Sequence, residues 1–224
     1  MRYFFKRSFD IIFSSIGLLL TSPILLVVAI AIFLDSKGDV IFKQRRIGQY
    51  GKPYNMYKFR SMIPNAQNIG TGVYSFDGDP RITRVGRFLR KTSLDELPQL
   101  CNVFIGNMSL VGPRSPVVGH FPEYDTLPAN YKRRFSVLPG ITGLAQVVGR
   151  NEFSWDEKVE YDNLYIDKFE KYGVLYDIKI LFMTVARVFS MSDVEERKEN
   201  QEKNKACLTF NDEDSSKEKE TIQS

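Results

Sequence analysis

The chain has 224 residues, enough for one compact core of ordinary domain size together with appendages. Its formal net charge of +4 suits anionic partners such as phosphates or acidic lipid headgroups, and we expect no nucleic-acid partner. The two cysteines argue against a disulfide framework, and the single histidine, His120, argues against a His-based metal cluster or a Ser-His triad. Nucleophilic or acid-base chemistry must therefore fall to carboxylates, Lys, Tyr or Cys.

An apolar segment at residues 9–34 is long enough to cross a bilayer as a helix. Ser22 and Pro23 lie in its middle, where a proline removes a helical hydrogen bond and clashes with the preceding turn. Asp10 lies near its start, and we expect Lys6 and Arg7 to be its partners. Basic residues flank the segment on both sides, so the positive-inside bias favours keeping both ends cytoplasmic.

Two interpretations of this segment stay open at this point. A single pass is possible, because spanning helices tolerate a proline kink. A re-entrant helix, broken at Ser22-Pro23, would enter and return through one leaflet, and it agrees with the proline, the charge and both basic flanks. Either way, residues 1–36 are predicted to be a membrane anchor.

The globular part begins with turn signals and a hairpin pattern at residues 35–51, followed by an alternating strand pattern at residues 54–62. Lys58 and Arg60 share one face of that strand, which is either a solvated face or a phosphate contact. Residues 81–90 then carry an arginine at every third position and predict an amphipathic helix facing solvent or lipid headgroups. Arg90 is the exception, because it lies closest to Asp95 and should share its site.

Asp95 and Glu96 are adjacent carboxylates shortly before Pro98, and the pattern predicts a helix start. Asp95 would then lie at or next to the N-cap, where free amides and the helix dipole favour anions. That position can hold a carboxylate ionised beside a bound phosphate. The alternative is an ordinary capping Asp with a solvated Glu.

The remaining chain predicts a glycine-punctuated loop that ends at Arg114, followed by two amphipathic helices within residues 155–169 and 177–189. Arg114 could bind a phosphate bidentately, although a plain turn explains the glycines equally well. The polar residues 191–224 are predicted to be a disordered tail. The fold class is therefore α+β and mainly helical, with short strands and hairpins, amphipathic interfacial helices, and a globular domain at residues 37–190.

Several ordered blocks, spread from about residue 6 to residue 189, together resemble the bacterial sugar transferase family, the monotopic polyprenyl-phosphate phosphoglycosyl transferases. The blocks are KR at residues 6–7 with Asp10, SP at 22–23, YKFRSM at 57–62, DPR at 79–81, SLDELPQL at 93–100, GPR at 112–114 and PGITGLAQ at 139–146. The chain departs from the family pattern at Asn107, where many relatives have Asp, at Ser115, and at Val148 before Gly149. None of these departures touches Asp95.

The resemblance implies that a UDP-sugar and a polyprenyl phosphate give a polyprenyl-diphospho-sugar and UMP. It implies a ping-pong route in which Asp95 is the nucleophile, and Mg²⁺ with Glu96 as its ligand. A carboxylate is a competent nucleophile at phosphorus if cations neutralise the diphosphate. The substrate-binding candidates are Lys58, Arg60, Arg90, Arg114, Gln146, Arg150, Asp162 and Asp177.

The family also implies a re-entrant anchor in the inner leaflet of the bacterial cytoplasmic membrane, with the catalytic domain facing the cytosol and a homodimer possible. Two rival functions stay in view: a non-catalytic, membrane-anchored scaffold of polysaccharide assembly, and a single-pass receptor-like protein. The sugar, and the pathway that uses it, cannot be assigned from the sequence.

Overall fold

The protein is described from a computed structural model at residues 1–72, 75–76, 78–119, 121–149 and 153–189. The mainly helical α+β class is confirmed, and the strands are short. The predicted tail at residues 191–224 lies outside the described residues. In chain order the elements are α1 (Arg2–Asp35), β1 (Ile41–Ile47), β2 (Pro53–Phe59), α2 (Arg84–Thr92), α3 (Gln99–Ile105), β3 (Ser109–Val111), α4 (Ala129–Arg133), β4 (Gly140–Thr142), α5 (Leu144–Val148), α6 (Trp155–Tyr172) and α7 (Val174–Phe189).

Two small sheets carry the loops of the globular part. β1 and β2 form an antiparallel hairpin, with Ile41 opposite Phe59 and Arg46 opposite Tyr54, so the hairpin predicted within residues 35–51 instead includes the strand predicted at residues 54–62. β3 and β4 pair in parallel, so residues far apart in sequence meet at the centre of the fold. This pairing needs Gly140, because a Cβ there would lie 2.1 Å from the backbone nitrogen of Gly112, the residue after β3.

The main hydrophobic core lies where α3, β3, α6 and α7 meet. Burial of these side chains is the chief favourable contribution to folding. The fully buried members are Val103, Met108, Val111, Tyr165, Ile166, Phe169 and Ile180. The globular part therefore has its own core, against which α1 packs.

The long apolar segment forms one helix, α1, that continues through Pro23. The prediction that the helix is interrupted at Ser22-Pro23 is therefore wrong. Pro23 has no N–H to donate to the carbonyl four residues earlier, that of Leu19. The hydroxyl of Ser22 donates to this carbonyl instead, at 2.8 Å. A side chain thus satisfies the acceptor that the proline leaves free, as in other apolar helices.

The buried residues of α1 fall in two groups, one towards each end of the helix. Within each group they recur at every fourth position, as neighbours on one side of a helix do: Lys6, Asp10 and Ser14 in the first group, Val28 and Ile32 in the second. The other faces are apolar and exposed, from Phe4 to Leu34. Within the described ranges, α1 is the one helix long and apolar enough to cross a membrane by length and composition.

The N-terminal end of α1 is held by a buried ion pair. Lys6 donates to the carboxylate of Asp177 at 2.7 Å and to the carbonyl of Val111 at 3.0 Å. The hydroxyl of Tyr165 donates to the same carboxylate at 2.8 Å. Because a buried charge is tolerated only when it is paired and hydrogen-bonded, these contacts define where α1 meets α6 and α7.

The predicted pairing of Asp10 with Lys6 and Arg7 is wrong. The Asp10 carboxylate accepts from the Ser109 hydroxyl and the Leu110 N–H, both at 3.0 Å. Arg7 instead donates to the last carbonyls of α3. Local sequence spacing suggested an intrahelical pair, but both side chains face partners about 100 residues away.

The C-terminal end of α1 is held by Arg60, which follows β2. Its guanidinium donates to the carbonyls of Ser36 and Lys37 at 2.6 and 2.9 Å. A cation at the end of a helix satisfies free carbonyls and opposes the negative end of the helix dipole. The side chain of Asp35 also accepts from the N–H of Val85 in α2. Both ends of α1 are therefore tied to the same globular part.

The predicted arginine helix begins later than expected. α2 starts at Arg84, so Arg81 lies outside it, where its buried guanidinium pairs with Asp79 at 2.6 Å. Arg81 also donates to the carbonyls of Ala66, Ile69 and Gly72. Arg81 therefore holds the preceding loop in place. Three of the four predicted arginines lie on the helix, namely Arg84, Arg87 and Arg90.

Candidate active site

The carboxylate pair lies in the turn between α2 and α3. α2 ends at Thr92, and Ser93 takes a left-handed conformation with φ +57°. Residues Leu94–Glu96 then form a short 3-10 turn, and α3 begins only at Gln99. The prediction that Asp95 lies at or next to the N-cap of the helix is therefore wrong. The turn, and not the helix N-terminus, aims the two carboxylates.

Asp95 is buried, with 9% of its surface exposed. Among the described residues, its carboxylate takes part in no hydrogen bond or ion pair. Burial raises the pKa of Asp95, and the nearby positive charge of Lys58 partly opposes that rise. Asp95 is thus a carboxylate without a partner that faces the cleft described below.

Glu96 has the opposite environment. Its Oε1 accepts from Lys58 at 2.8 Å and from Arg114 at 3.2 Å. Burial alone would raise the pKa of this carboxyl, but the two cations outweigh burial and hold its pKa well below the ordinary value. Adjacent carboxylates whose pKa values are pushed apart are typical of sites that give them separate roles.

The cleft beside Asp95 consists of two contiguous chambers of about 380 and 560 Å³. The two chambers share four lining residues: Lys58, Arg90, Asp95 and Arg114. The smaller chamber continues to Leu97, Leu100, Ile141, Thr142 and Gln146, and the larger one to the β1–β2 hairpin and the loop at residues 62–67. Asp95 therefore lies where the chambers meet, among three cations.

Three elements bring these cations together. Lys58 comes from β2, Arg90 from the last turn of α2, and Arg114 from the loop after β3. Arg90 donates to the hydroxyl of Ser75. The structure thus places Lys58, Arg90 and Arg114, which the sequence analysis proposed, around Asp95 and Glu96.

Arg114 is supported from behind by a buried pair. The guanidinium of Arg134 donates to the Arg114 carbonyl at 2.8 Å and lies 2.8 Å from the carboxylate of Asp162. Burial raises the pKa of Asp162 to about 6, although Arg134 opposes the rise. Asp162 was predicted to bind substrate, but it is 1% exposed, and its ion pair among the described residues is with Arg134, which contacts the backbone of Arg114.

The other predicted site residues have different placements. Asp177 is fully buried with Lys6, and its predicted role is corrected to that of a structural ion pair. Arg60 lines the larger chamber, but its contacts show a cap of α1 instead of a free phosphate-binding group. Gln146 lines the smaller chamber and donates to Ile141. Arg150 lies outside the described residues.

A divalent cation would find few protein ligands here. In the described part of the chain, no cluster of three or more His, Cys, Asp or Glu side chains could hold one. Both contacts of Glu96 are to Oε1, so its Oε2 has no assigned partner. This donor set fits Mg²⁺, which keeps several waters and is bound through one or two carboxylates together with substrate phosphates.

Arg46 is a basic residue of the cleft that the sequence analysis missed. It lies in the wall of the larger chamber, on β1. In the sequence it is one of several basic residues that follow the apolar segment. Its position depends on the register of the hairpin and on the segment around Ser115, which no local pattern reveals.

Comparison with known proteins identifies the family. Residues 1–191 match the family model described as bacterial sugar transferase. The chain is 50% identical over 190 residues to UDP-glucose:undecaprenyl-phosphate glucose-1-phosphate transferase of Klebsiella pneumoniae, with 83% of this chain and 40% of that protein covered. It is 41% identical over 195 residues to undecaprenyl-phosphate galactose phosphotransferase of Salmonella typhimurium, with 81% of this chain and 40% of that protein covered.

A shorter relative is matched over almost its whole length. The exopolysaccharide production protein PSS of Rhizobium leguminosarum is 42% identical over 188 residues, with 80% of this chain and 92% of that protein covered. The chain thus spans less than half the length of the two relatives above, and nearly all of this one.

The capping role of Arg60 gives a stability prediction. Replacing it in Arg60→Met leaves carbonyls at the end of α1 without their donors, so we expect a loss of roughly 1.5–3 kcal/mol in the free energy of unfolding. In the matched variant Lys58→Met, Glu96 keeps Arg114, and we expect a loss of about 1 kcal/mol or less. Thermal unfolding of the detergent-solubilised proteins measures both. Equal midpoints for the two variants would contradict the capping role.

Proposed function

The chain belongs to the bacterial sugar transferase family, and on that basis we propose that it transfers a sugar-1-phosphate from a UDP-sugar to a polyprenyl phosphate, with release of UMP. The observation that carries the proposal is Asp95, a buried carboxylate without a partner among the described residues, at the meeting point of two cation-lined chambers. The names of the Klebsiella and Salmonella relatives support undecaprenyl phosphate as the acceptor. One name specifies glucose and the other galactose, so the sugar of the donor is left open.

The first step is attack by Asp95 on the β-phosphorus of the donor. A carboxylate oxygen forms a bond to phosphorus, the bond to the bridging oxygen breaks, and UMP leaves with that oxygen. The product on the protein is an aspartyl phosphosugar. A carboxylate whose pKa is raised by burial is a stronger nucleophile than an ordinary Asp, provided that it is ionised.

The second step regenerates the carboxylate. An oxygen of the polyprenyl phosphate attacks the same phosphorus, the acyl-phosphate bond breaks, and its electron pair returns to Asp95. In-line displacement requires the attacking and leaving groups to lie on opposite sides of the phosphorus. UMP and the lipid phosphate both lie opposite Asp95, so they use the same place in turn.

The cations make these steps possible by neutralising the diphosphate. Lys58, Arg90 and Arg114 line both chambers and can contact its oxygens. Glu96 holds Lys58 and Arg114 in position through Oε1 and would present Oε2 to Mg²⁺. When bound, Mg²⁺ would neutralise charge on the phosphate oxygens.

The anchor is proposed to lie in the inner leaflet of the cytoplasmic membrane, with the catalytic domain in the cytosol. A hydrocarbon core about 30 Å thick would separate the two ends of a helix that crosses the bilayer. Lys6 near one end and Ser36 at the other both contact the same globular part, which supports placing both ends on one side. A homodimer stays a prediction.

The nucleophile is tested by the variant Asp95→Asn. We expect UMP release from a panel of UDP-sugars, with undecaprenyl phosphate as acceptor, to fall at least about 1,000-fold, because the covalent step is lost. Intact mass spectrometry of the wild type without acceptor should find a phosphosugar adduct that the variant lacks. The variant Asp39→Asn, which removes another carboxylate from the lining of the larger chamber, serves as the control.

Two outcomes would decide against the proposal. Unchanged UMP release by Asp95→Asn would remove Asp95 as the nucleophile. A folded wild type that releases no UMP from any donor in the panel would favour the non-catalytic scaffold.

The raised pKa of Asp95 predicts the pH dependence. Asp95 must be ionised to attack, so kcat/KM should fall as the pH decreases through its pKa, at a higher pH than for an ordinary Asp. Lys58 lowers this pKa, so Lys58→Met should move the acid limb of the profile to still higher pH. Lys52→Met, an exposed charge on the hairpin turn, should leave the limb unchanged. A shift to lower pH in Lys58→Met would contradict this electrostatic account.

Topology is tested with single cysteines in a background without Cys101 and Cys207. Arg2→Cys and Lys37→Cys place exposed thiols at the two ends of α1, and Lys52→Cys marks the globular part. We expect a membrane-impermeant maleimide to label all three only when the cytoplasmic face is accessible. Labelling of Arg2→Cys from the outer face of intact spheroplasts would establish a single pass instead.

A further inference from the structure

Arg46 is held rigidly in the wall of the larger chamber. Its Nε and one terminal nitrogen donate to the side-chain oxygen of Gln44 at 3.0 and 2.8 Å. The other terminal nitrogen donates to the carbonyl of Ser115 at 2.5 Å. A guanidinium has five N–H donors, so these contacts leave one N–H on each terminal nitrogen. These N–H groups can donate charge-assisted hydrogen bonds to phosphate oxygens.

Arg46 has no ion-pair partner among the described residues, although Glu96 acts on it from a longer distance. Both of its acceptors are neutral, and in the described part of the chain no carboxylate lies within ion-pair distance of it. Lys58 and Arg114 differ in this respect, because both pair with Glu96. Arg46 is partly buried, and a partly desolvated charge without an ion-pair partner is stabilised by an anion from outside the chain.

Arg46 is nevertheless a cation at neutral pH. Burial lowers its pKa to about 10, and the neighbouring charge of Arg114 acts in the same direction. Two guanidinium groups therefore lie close together with one carboxylate, Glu96, shared between Arg114 and Lys58. An anion that carries more than one negative charge would relieve this repulsion.

We propose that Arg46 binds the diphosphate of the nucleotide-sugar donor, and that the substrate supplies the ion-pair partner this residue lacks. The inference rests on the proposed function, because it assumes that the donor carries a diphosphate. It adds a substrate-binding residue on β1 to those on β2, α2 and the loop after β3. The diphosphate would then lie in the larger chamber, whose lining includes both Arg46 on the hairpin and Arg90 on α2.

The test compares Arg46→Gln, Arg46→Lys and the matched control Arg45→Gln, which removes an equal charge from an exposed neighbouring position. The measured quantity is the dissociation constant of UDP in the presence of Mg²⁺, by calorimetry on the full detergent-solubilised chain. Loss of a charge-assisted contact should weaken UDP binding roughly 10–100-fold in Arg46→Gln. Arg45→Gln should bind as the wild type does.

Arg46→Lys separates binding from structural support. A lysine keeps the charge but cannot reproduce the contacts with both Gln44 and Ser115. If the charge binds the diphosphate, Arg46→Lys should bind UDP at least about fivefold more tightly than Arg46→Gln does. Equal losses of UDP affinity and of thermal stability in both variants would show that Arg46 only supports the Ser115 segment, and would overturn the inference.

The inference and the proposed function fail in different ways. Wild-type affinity of Arg46→Gln for UDP would overturn the inference, whether or not UMP is released from any donor. A dependence of UDP binding on Arg46, in a protein that releases no UMP, would support the inference as a nucleotide-binding role and overturn the proposed transferase activity.

Discussion

The docking of α1 against the globular part is the constraint on which the rest of the structure depends. Lys6 and Asp177 form a buried ion pair near one end, and Arg60 caps the other end. Removing one partner of such a pair leaves an unpaired buried charge, which costs several kcal/mol. The cleft therefore has a defined position relative to the exposed apolar faces of α1. The proposed transfer to a lipid phosphate at a membrane surface needs such a fixed relation.

The chemistry depends on how a few cations are divided between two adjacent carboxylates. Glu96 takes the contacts of Lys58 and Arg114, so its pKa falls, whereas burial dominates at Asp95 and its pKa rises. One carboxylate is thus paired with two cations, while the other has no hydrogen-bond or ion-pair partner among the described residues. Because the same cations face both chambers, an anionic substrate can approach Asp95 without strong repulsion.

The arginines show that one residue type serves different purposes according to its partner. Arg81 pairs with Asp79 and holds a loop, and Arg134 lies beside Asp162 and supports the Arg114 backbone. These guanidinium charges are compensated within the protein. Arg46 is held by neutral acceptors alone, which is the basis for assigning its charge to a ligand.

The sequence by itself determined the apolar N-terminal helix, the mainly helical class and the carboxylate pair Asp95-Glu96 with basic residues near it, because these follow from composition, periodicity and local motifs. Only the tertiary structure decided that Asp177 and Arg60 hold α1, that a 3-10 turn presents Asp95, and that α1 continues through Pro23. The reason is physical: the ion pair and the cap join residues 171 and 24 positions apart. Local patterns show which side chains are available, but the packing of distant segments determines which of them are already paired and which remain free to bind a substrate.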